Sequence, residues 1–351
     1  MDMTPRPAAL PSGRYEAGAA ARHRRNDFDV TNTVQVSSTA AVKSAVEALF
    51  AQEFPGQPFA PVAQAFDTFE LLFGGRLPGY LGVDTVYHDR QHSLDMALAL
   101  ARLLVGYERG ASGDERLGYD RIVMGMITGL FHDAGYVREE TDTRQNGAEY
   151  TSTHVTRSAR FIGRFLPTVG MAAWVPVATR IVHFSGYEVP FAKIEIGDWR
   201  DRKVGHLLGT ADLIAQMSDR CYLEKCRDRL YPEFVLAGVA LGRDASGYVK
   251  VRYSSGLDLL RQTPKFVEAT MRDRLDGEFG GAYRLVERLY DGHNPYLLAI
   301  RQNLAYLHQV LKSENWPMLR RNPPCFTHQS NQLPNVRSLM LGHLKELWGR
   351  G

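Results

Sequence analysis

Apolar residues recur at helical spacing through most of the chain, and that period limits the kind of core it can build. In "STAAVKSAVEALFAQEF", Val42, Val46, Leu49 and Phe50 fall on one stripe, with Ser38 placed as an N-cap. Pro55, Gly56 and Pro58 break the pattern, a second amphipathic piece covers about 60–73, and the turn "GGRLPGYLG" follows. Leu94, Leu98, Ala101, Leu103 and Val105 carry the next stretch as far as "GYERGASGDE". Further helical patterns run at about 119–132, 147–166, 171–184, 203–228 and 281–312, each bounded by Gly, Pro or Asn. Strand-like alternation is confined mainly to "GYVKVRYSS" (247–255), half of a small β-hairpin. An all-α fold is the expectation.

With 351 residues, 44% of them hydrophobic and 23% charged, the chain can bury a sizeable core. A formal charge of +3, from 42 basic and 39 acidic residues, gives no footprint for duplex nucleic acid or an anionic membrane. No apolar run reaches the roughly 18 residues of a membrane span. Cys221, Cys226 and Cys325 form neither a disulfide framework nor a CxxC pair, which fits a reducing cytoplasm. The opening "MDMTPRPAALPSGRYEAGAAARHRRNDFDV" offers little to bury, so residues 1–35 are expected to be a flexible tail.

The chemistry gathers where polar residues interrupt apolar helix faces. "VYHDRQHSLDMA" (86–97) places His88 and His92 four positions apart, about one helical turn, so both should project from one face. His132 and Asp133 follow in "GLFHDAGY", His154 in "TSTHVTRSARFIGRF", His183 in "ATRIVHFSGYE" and Asp212 in "HLLGTADLIAQMSD". One histidine in a helix is ordinary. Buried carboxylates such as Asp133 and Asp212, however, need partners, and a metal ion can partner several such groups at once. His23, His293, His308, His328 and His343 carry no such pattern, and His206 is a weaker case.

The ordered series H…HD…H…H…D resembles the HD superfamily of metal-dependent phosphohydrolases, named for the doublet that His132-Asp133 matches here. The similarity covers roughly residues 85–225. Within it "YHDRQHSLDMA" looks most like the opening motif of cyclic-nucleotide phosphodiesterases, and "GTADL" is similar to their later Thr-Asp motif. The resemblance implies an HD-domain helical bundle over 36–230, followed by a mainly helical C-terminal extension, 231–351, packed on that core. It implies that His92, His132, Asp133 and Asp212 bind one metal and that Asp133 bridges to a second. His154 and His183 match the further ligands of dinuclear members, and His88 would be the general acid. The loop "HDAGYVREETDT" departs from the phosphodiesterase pattern, so no purine-binding residues are carried over.

Two cations about 3.5–4 Å apart could hold a bridging hydroxide, neutralise the non-bridging oxygens of a phosphodiester and align in-line attack, with Asp133 and His88 as the catalytic side chains. Imidazole and carboxylate ligands suit Mn, Fe, Zn or a mixture, with Mg open at the second position. Arg90, Arg138, Arg144, Arg157 and Lys203 are candidate phosphate contacts, and Arg144 and Asn146, in the loop after the doublet, are the best placed for substrate. The expected activity is hydrolysis of a phosphodiester, with a cyclic nucleotide as the substrate. Two other readings stay open: a di-iron oxygenase such as myo-inositol oxygenase, which uses the same six ligands, and a nucleotide-binding regulatory module. Asp89 or Asp95 could orient one of the His88 and His92 rings, but both read first as solvated surface acids. The stripe Leu297, Ile300, Leu304, Leu307 and Leu311 reads as core packing or the surface of a homodimer.

Overall fold

The computed structural model describes residues 24–348 apart from 244, 245, 247 and 331. It is all-α with one small hairpin, about 65% helical. In chain order the helices are α1 (Thr39–Glu53), α2 (Ala60–Phe73), α3 (Arg90–Gly110), α4 (Tyr119–Leu130), α5 (His154–Phe165), α6 (Val175–Ile181) and α7 (Trp199–Ser218). There follow α8 (Tyr222–Lys225), α9 (Tyr231–Leu236), α10 (Gly256–Ala269), α11 (Pro295–Ser313) and α12 (Gln332–Trp348). Strands β1 (Leu241–Arg243) and β2 (Val249–Val251) pair antiparallel, Leu241 opposite Val251. No described helix is long and apolar enough to cross a membrane.

Helix α3 is the axis of the core. Nearly every side chain from Leu94 to Val105 is buried, so it is enclosed on all sides rather than amphipathic. Helices α7, α1 and α4 pack around it, with α3 and α7 forming the most extensive pair, and α11 packs on α7. Helix α4 can lie close because of two glycines: a Cβ at Gly129 would overlap Leu100 of α3, and one at Gly125 would overlap Val204 of α7. Ser38 caps α1 by accepting from Ala41 N, as the sequence predicts.

The N-terminal expectation needs correction. Residues 1–23 lie outside the described residues, but 24–35 are not a loose tail. Asp29 is fully buried, accepts from the backbone N–H groups of Thr33 and Val34, and meets Arg102 Nη2 of α3 at 2.6 Å. Arg24 and Val30 are buried as well. A single carboxylate aimed at a buried guanidinium organises the segment, and average composition hides such a residue.

The C-terminal segment is woven into the first half of the chain. Arg90 N donates to Phe326 O and His328 N to Val83 O, so 326–328 run beside 83–90. Val336 of α12, Leu236 of α9, Val86 and Ala148 form a small apolar cluster of their own. Helix α9 therefore lies directly behind the segment that carries His88.

Candidate metal centre

His92, His132 and Asp133 converge, each offering a ligand atom within 4.8 Å of the others. Asp212, from the middle of α7, joins them: its Oδ1 is 3.3 Å from His92 Nε2 and 3.7 Å from His132 Nε2. Asp133 Oδ2 is 3.3 Å from His92 Nε2 and 3.2 Å from His132 Nε2. His154 Nε2 approaches the other oxygen of the same carboxylate, Asp133 Oδ1, at 3.7 Å. His183 stands apart: no hydrogen bond or ion pair joins it to the other five, and its Nδ1 is buried without a partner.

Local structure fixes each group. Asp89 ends the extended approach to α3 and caps the helix by accepting from His92 N. Consequently α3 starts at Arg90, and His88 lies just before the helix rather than one turn below His92 on it. The two rings still meet edge to face, with centroids 5.7 Å apart. His132 follows the last turn of α4, where its Nδ1 lies 2.9 Å from Gly129 O. His154 opens α5, with Nδ1 2.7 Å from Thr151 O. An imidazole that donates from Nδ1 to a carbonyl keeps Nε2 free as a lone-pair donor, the usual arrangement behind a metal-ligating histidine. The exposed N–H groups at the start of α5 are met from outside the helix, Glu188 accepting from Val155 N, Thr156 N and Thr156 Oγ1.

The electrostatics are those of a cation site. Burial works against charge on His92, but Asp133 and Asp212 outweigh it and hold its pKa up to about 10. The same carboxylates raise His132 against its burial. Despite their own burial, Asp133 is held well below the usual carboxylate range by His132 and His92, and Asp212 is lowered by His92 and His132. His154 and His183 are lowered by burial, which disfavours their charged forms. His132 Nε2 and Asp133 Oδ2 are both buried without a hydrogen-bond partner although they lie close together. Buried imidazole and carboxylate atoms gathered near a common point, two of them without a hydrogen-bond partner, form a donor set that could hold a metal ion.

Sequence reasoning missed two residues here. Glu233, fully buried on α9, accepts from Val86 N and Tyr87 N through Oε1, both at 2.6 Å, and its Oε2 lies 2.6 Å from His88 Nδ1. Tyr136, just after the doublet, lies between two rings: its centroid is 4.4 Å from that of His88 and 4.4 Å from that of His154, stacked on each. An acid in the first turn of "YPEFVL" is too common to mark a site.

Several expected roles are not supported by the placement of the side chains. Asn146 is fully buried and structural, capping Gly147–Tyr150 and donating to Asp84 O. Arg144 is exposed and 3.6 Å from Glu149. No hydrogen bond or ion pair joins either to the histidine–carboxylate cluster. Arg138 is bound to Asp84, Arg157 to Asp142, and Arg90 lies beside Glu70. Asp89 and Asp95 are buried, not solvated: Asp89 is a cap that also accepts from Phe326 N, and Asp95 Oδ1 has no partner.

Compared with protein-family models, curated proteins and solved structures, the chain matches none of them.

Proposed function

We propose that the chain is a metal-dependent phosphohydrolase that cleaves a phosphodiester, with a cyclic nucleotide as the substrate class and His88 as the proton donor. The observation that carries this reading is the setting of His88. Its ring lies beside the candidate ligand cluster, yet Nδ1 is engaged by a buried carboxylate that belongs to no ligand set. Glu233 accepts the Nδ1 proton, so Nε2 is the nitrogen left to exchange a proton with a leaving oxygen. Tyr136 stacks on the ring and fixes its plane, while the side chain keeps 16% exposure, enough for contact with a bound ligand.

Asp133, His92, His132 and Asp212 would hold one divalent ion, and His154 with the second Asp133 oxygen would begin a second site. Mn, Fe, Zn or a mixture, with Mg at the second position, would supply positive charge on the phosphoryl oxygens and a water nucleophile. The ordered motif series in the sequence supports the same reading.

The test is an aerobic and anaerobic activity screen of metal-loaded protein against cyclic mono- and dinucleotides. Phosphodiester cleavage without oxygen is expected. Oxygen consumption by iron-loaded protein, with no phosphoester cleaved, would transfer the site to the di-iron oxygenase reading.

A further inference from the structure

A cavity of about 210 Å³ lies past the C-terminal end of α7, lined by Arg24, Arg220, Gln302, Asn303, Tyr306 and Arg321 among others. Three arginines from three distant parts of the chain meet there, and among the described residues no carboxylate lines it. Two of them are compensated. Arg24 donates to Ser218 O at the carbonyl end of α7 and to Phe28 O. Arg321 donates to Arg220 O and lies 3.6 Å from Glu224 Oε2. Arg220 is not. Among the described residues its side chain has no hydrogen-bond or ion-pair partner, and its Nε is buried. The nearby Asp219 is engaged by Lys225 Nζ at 2.5 Å and by Cys221 N. Burial, Arg321 and Arg24 work against the charge on Arg220, and Cys221 and the Glu224 carboxylate offset them only in part.

Like charges in a partly closed cavity repel, and a buried Nε–H without an acceptor loses its hydration for nothing in return. Both deficits disappear if an oxyanion occupies the cavity, because guanidinium forks match phosphate oxygens in geometry and charge. We infer that this cavity binds a phosphate group, either free or at the end of a small phosphomonoester, at a site separate from the histidine–carboxylate cluster. Asp212 lies six residues before the end of α7, so about 9 Å of helix separates it from Ser218.

The test is a titration of the full-length protein with inorganic phosphate and, separately, glycerol 3-phosphate, at constant ionic strength, followed by thermal melting and calorimetry. A saturable rise in melting temperature is expected with at least one of them. Tighter binding of the ester identifies a phosphorylated metabolite, and tighter binding of phosphate identifies the free ion. Arg220→Gln should weaken binding by about tenfold or more. It should also melt no lower than wild type without phosphate, since it removes a repelling charge. Gln302→Glu, at an exposed position, places a carboxylate among the arginines and should abolish the response even if Arg220→Gln fails to fold. Asp133→Asn should retain the response. No saturable response in wild type, a response surviving both Arg220→Gln and Gln302→Glu, or one lost only in Asp133→Asn would overturn the inference.

Discussion

His88 Nδ1 and Glu233 Oε2 lie 2.6 Å apart although 145 positions separate them in sequence. The carboxylate is fully buried and also takes the backbone N–H groups of Val86 and Tyr87, so it holds both the His88 ring and the strap that carries it. Ring orientation next to the cluster therefore depends on a helix that has no chemical motif of its own.

If His88 is the proton donor, His88→Ala should retain metal and lose roughly 10²–10⁴-fold in turnover. The loss should shrink for nitrophenyl phosphodiesters, whose leaving groups need no proton. Elemental analysis beside steady-state kinetics checks both. Equal losses for good and poor leaving groups would remove His88 from the acid role.

Glu233→Gln should lower turnover by about 10- to 100-fold while metal content stays near wild type, the usual effect of losing a partner that orients an active ring. Glu233→Asp, which keeps the charge on a shorter arm, should recover part of it. The informative readout is the pH profile: a packing defect scales the whole profile, whereas a misoriented ring shifts its shape.

Metal affinity should rise with pH. In the metal-free protein Asp133 and Asp212 hold His92 protonated, its pKa up to about 10, and they raise His132 too. A metal must displace the His92 proton, so binding is opposed at low pH and releases a proton on loading. Titrations with Mn or Zn at pH 6 and 8, in buffers of different ionisation enthalpy, should show tighter binding at pH 8 and net proton release. Asp133→Ala should disturb both candidate positions, since its two oxygens face different histidines, whereas His183→Ala should affect at most one.

The pattern of apolar periods made the helical architecture, the Ser38 cap and the short hairpin legible from sequence. It also singled out His92, His132, Asp133, His154 and Asp212, because polar residues that interrupt a buried helix face are conspicuous. What stayed hidden depends on tertiary placement. Whether Asp89 caps a helix or faces water, and whether Glu233 points at solvent or at His88, is decided by which distant segment packs against them. Asn146 looked like a substrate contact for the same reason: a polar loop residue reads alike whether it meets a ligand or caps a turn. The start of α3 at Arg90 follows from the Asp89 cap, which periodicity alone does not locate.

Asp95 should make stability fall as pH rises. Burial, partly offset by Arg24, pushes its pKa up to about 7, and its Oδ1 has no hydrogen-bond partner. The folded state thus holds the proton more tightly than the unfolded chain, so this group's contribution is constant below about pH 4 and declines through pH 7. Asp95→Asn should flatten that decline and stabilise the protein at pH 8 by about 1–3 kcal/mol, the scale of an unsatisfied buried polar group. Denaturant melts at pH 5 and 8 provide the comparison, and an equal effect at both would rule out titration of Asp95 as the cause.

Asp29 should act in the opposite direction. Burial raises its pKa, but Arg102, Thr31 and Val34 outweigh this and hold it at about 2. A folded pKa below the unfolded value contributes stability above about pH 4 that is lost as pH falls towards 2. The depression from 3.8 corresponds to roughly 2 kcal/mol at neutral pH. Asp29→Asn goes further, because it leaves the buried Arg102 guanidinium without a counter-charge, a change that typically destabilises by about 3–5 kcal/mol. Deleting residues 1–35 removes the same carboxylate together with Val30, so it should lower the melting transition at least as much. Chemical denaturation of both variants at pH 7 checks this. A deletion variant as stable as the full chain would mean that the Asp29–Arg102 pair does not anchor the N-terminal segment, and Arg102 would then be satisfied by Tyr296, whose hydroxyl accepts from its Nη1 at 2.8 Å.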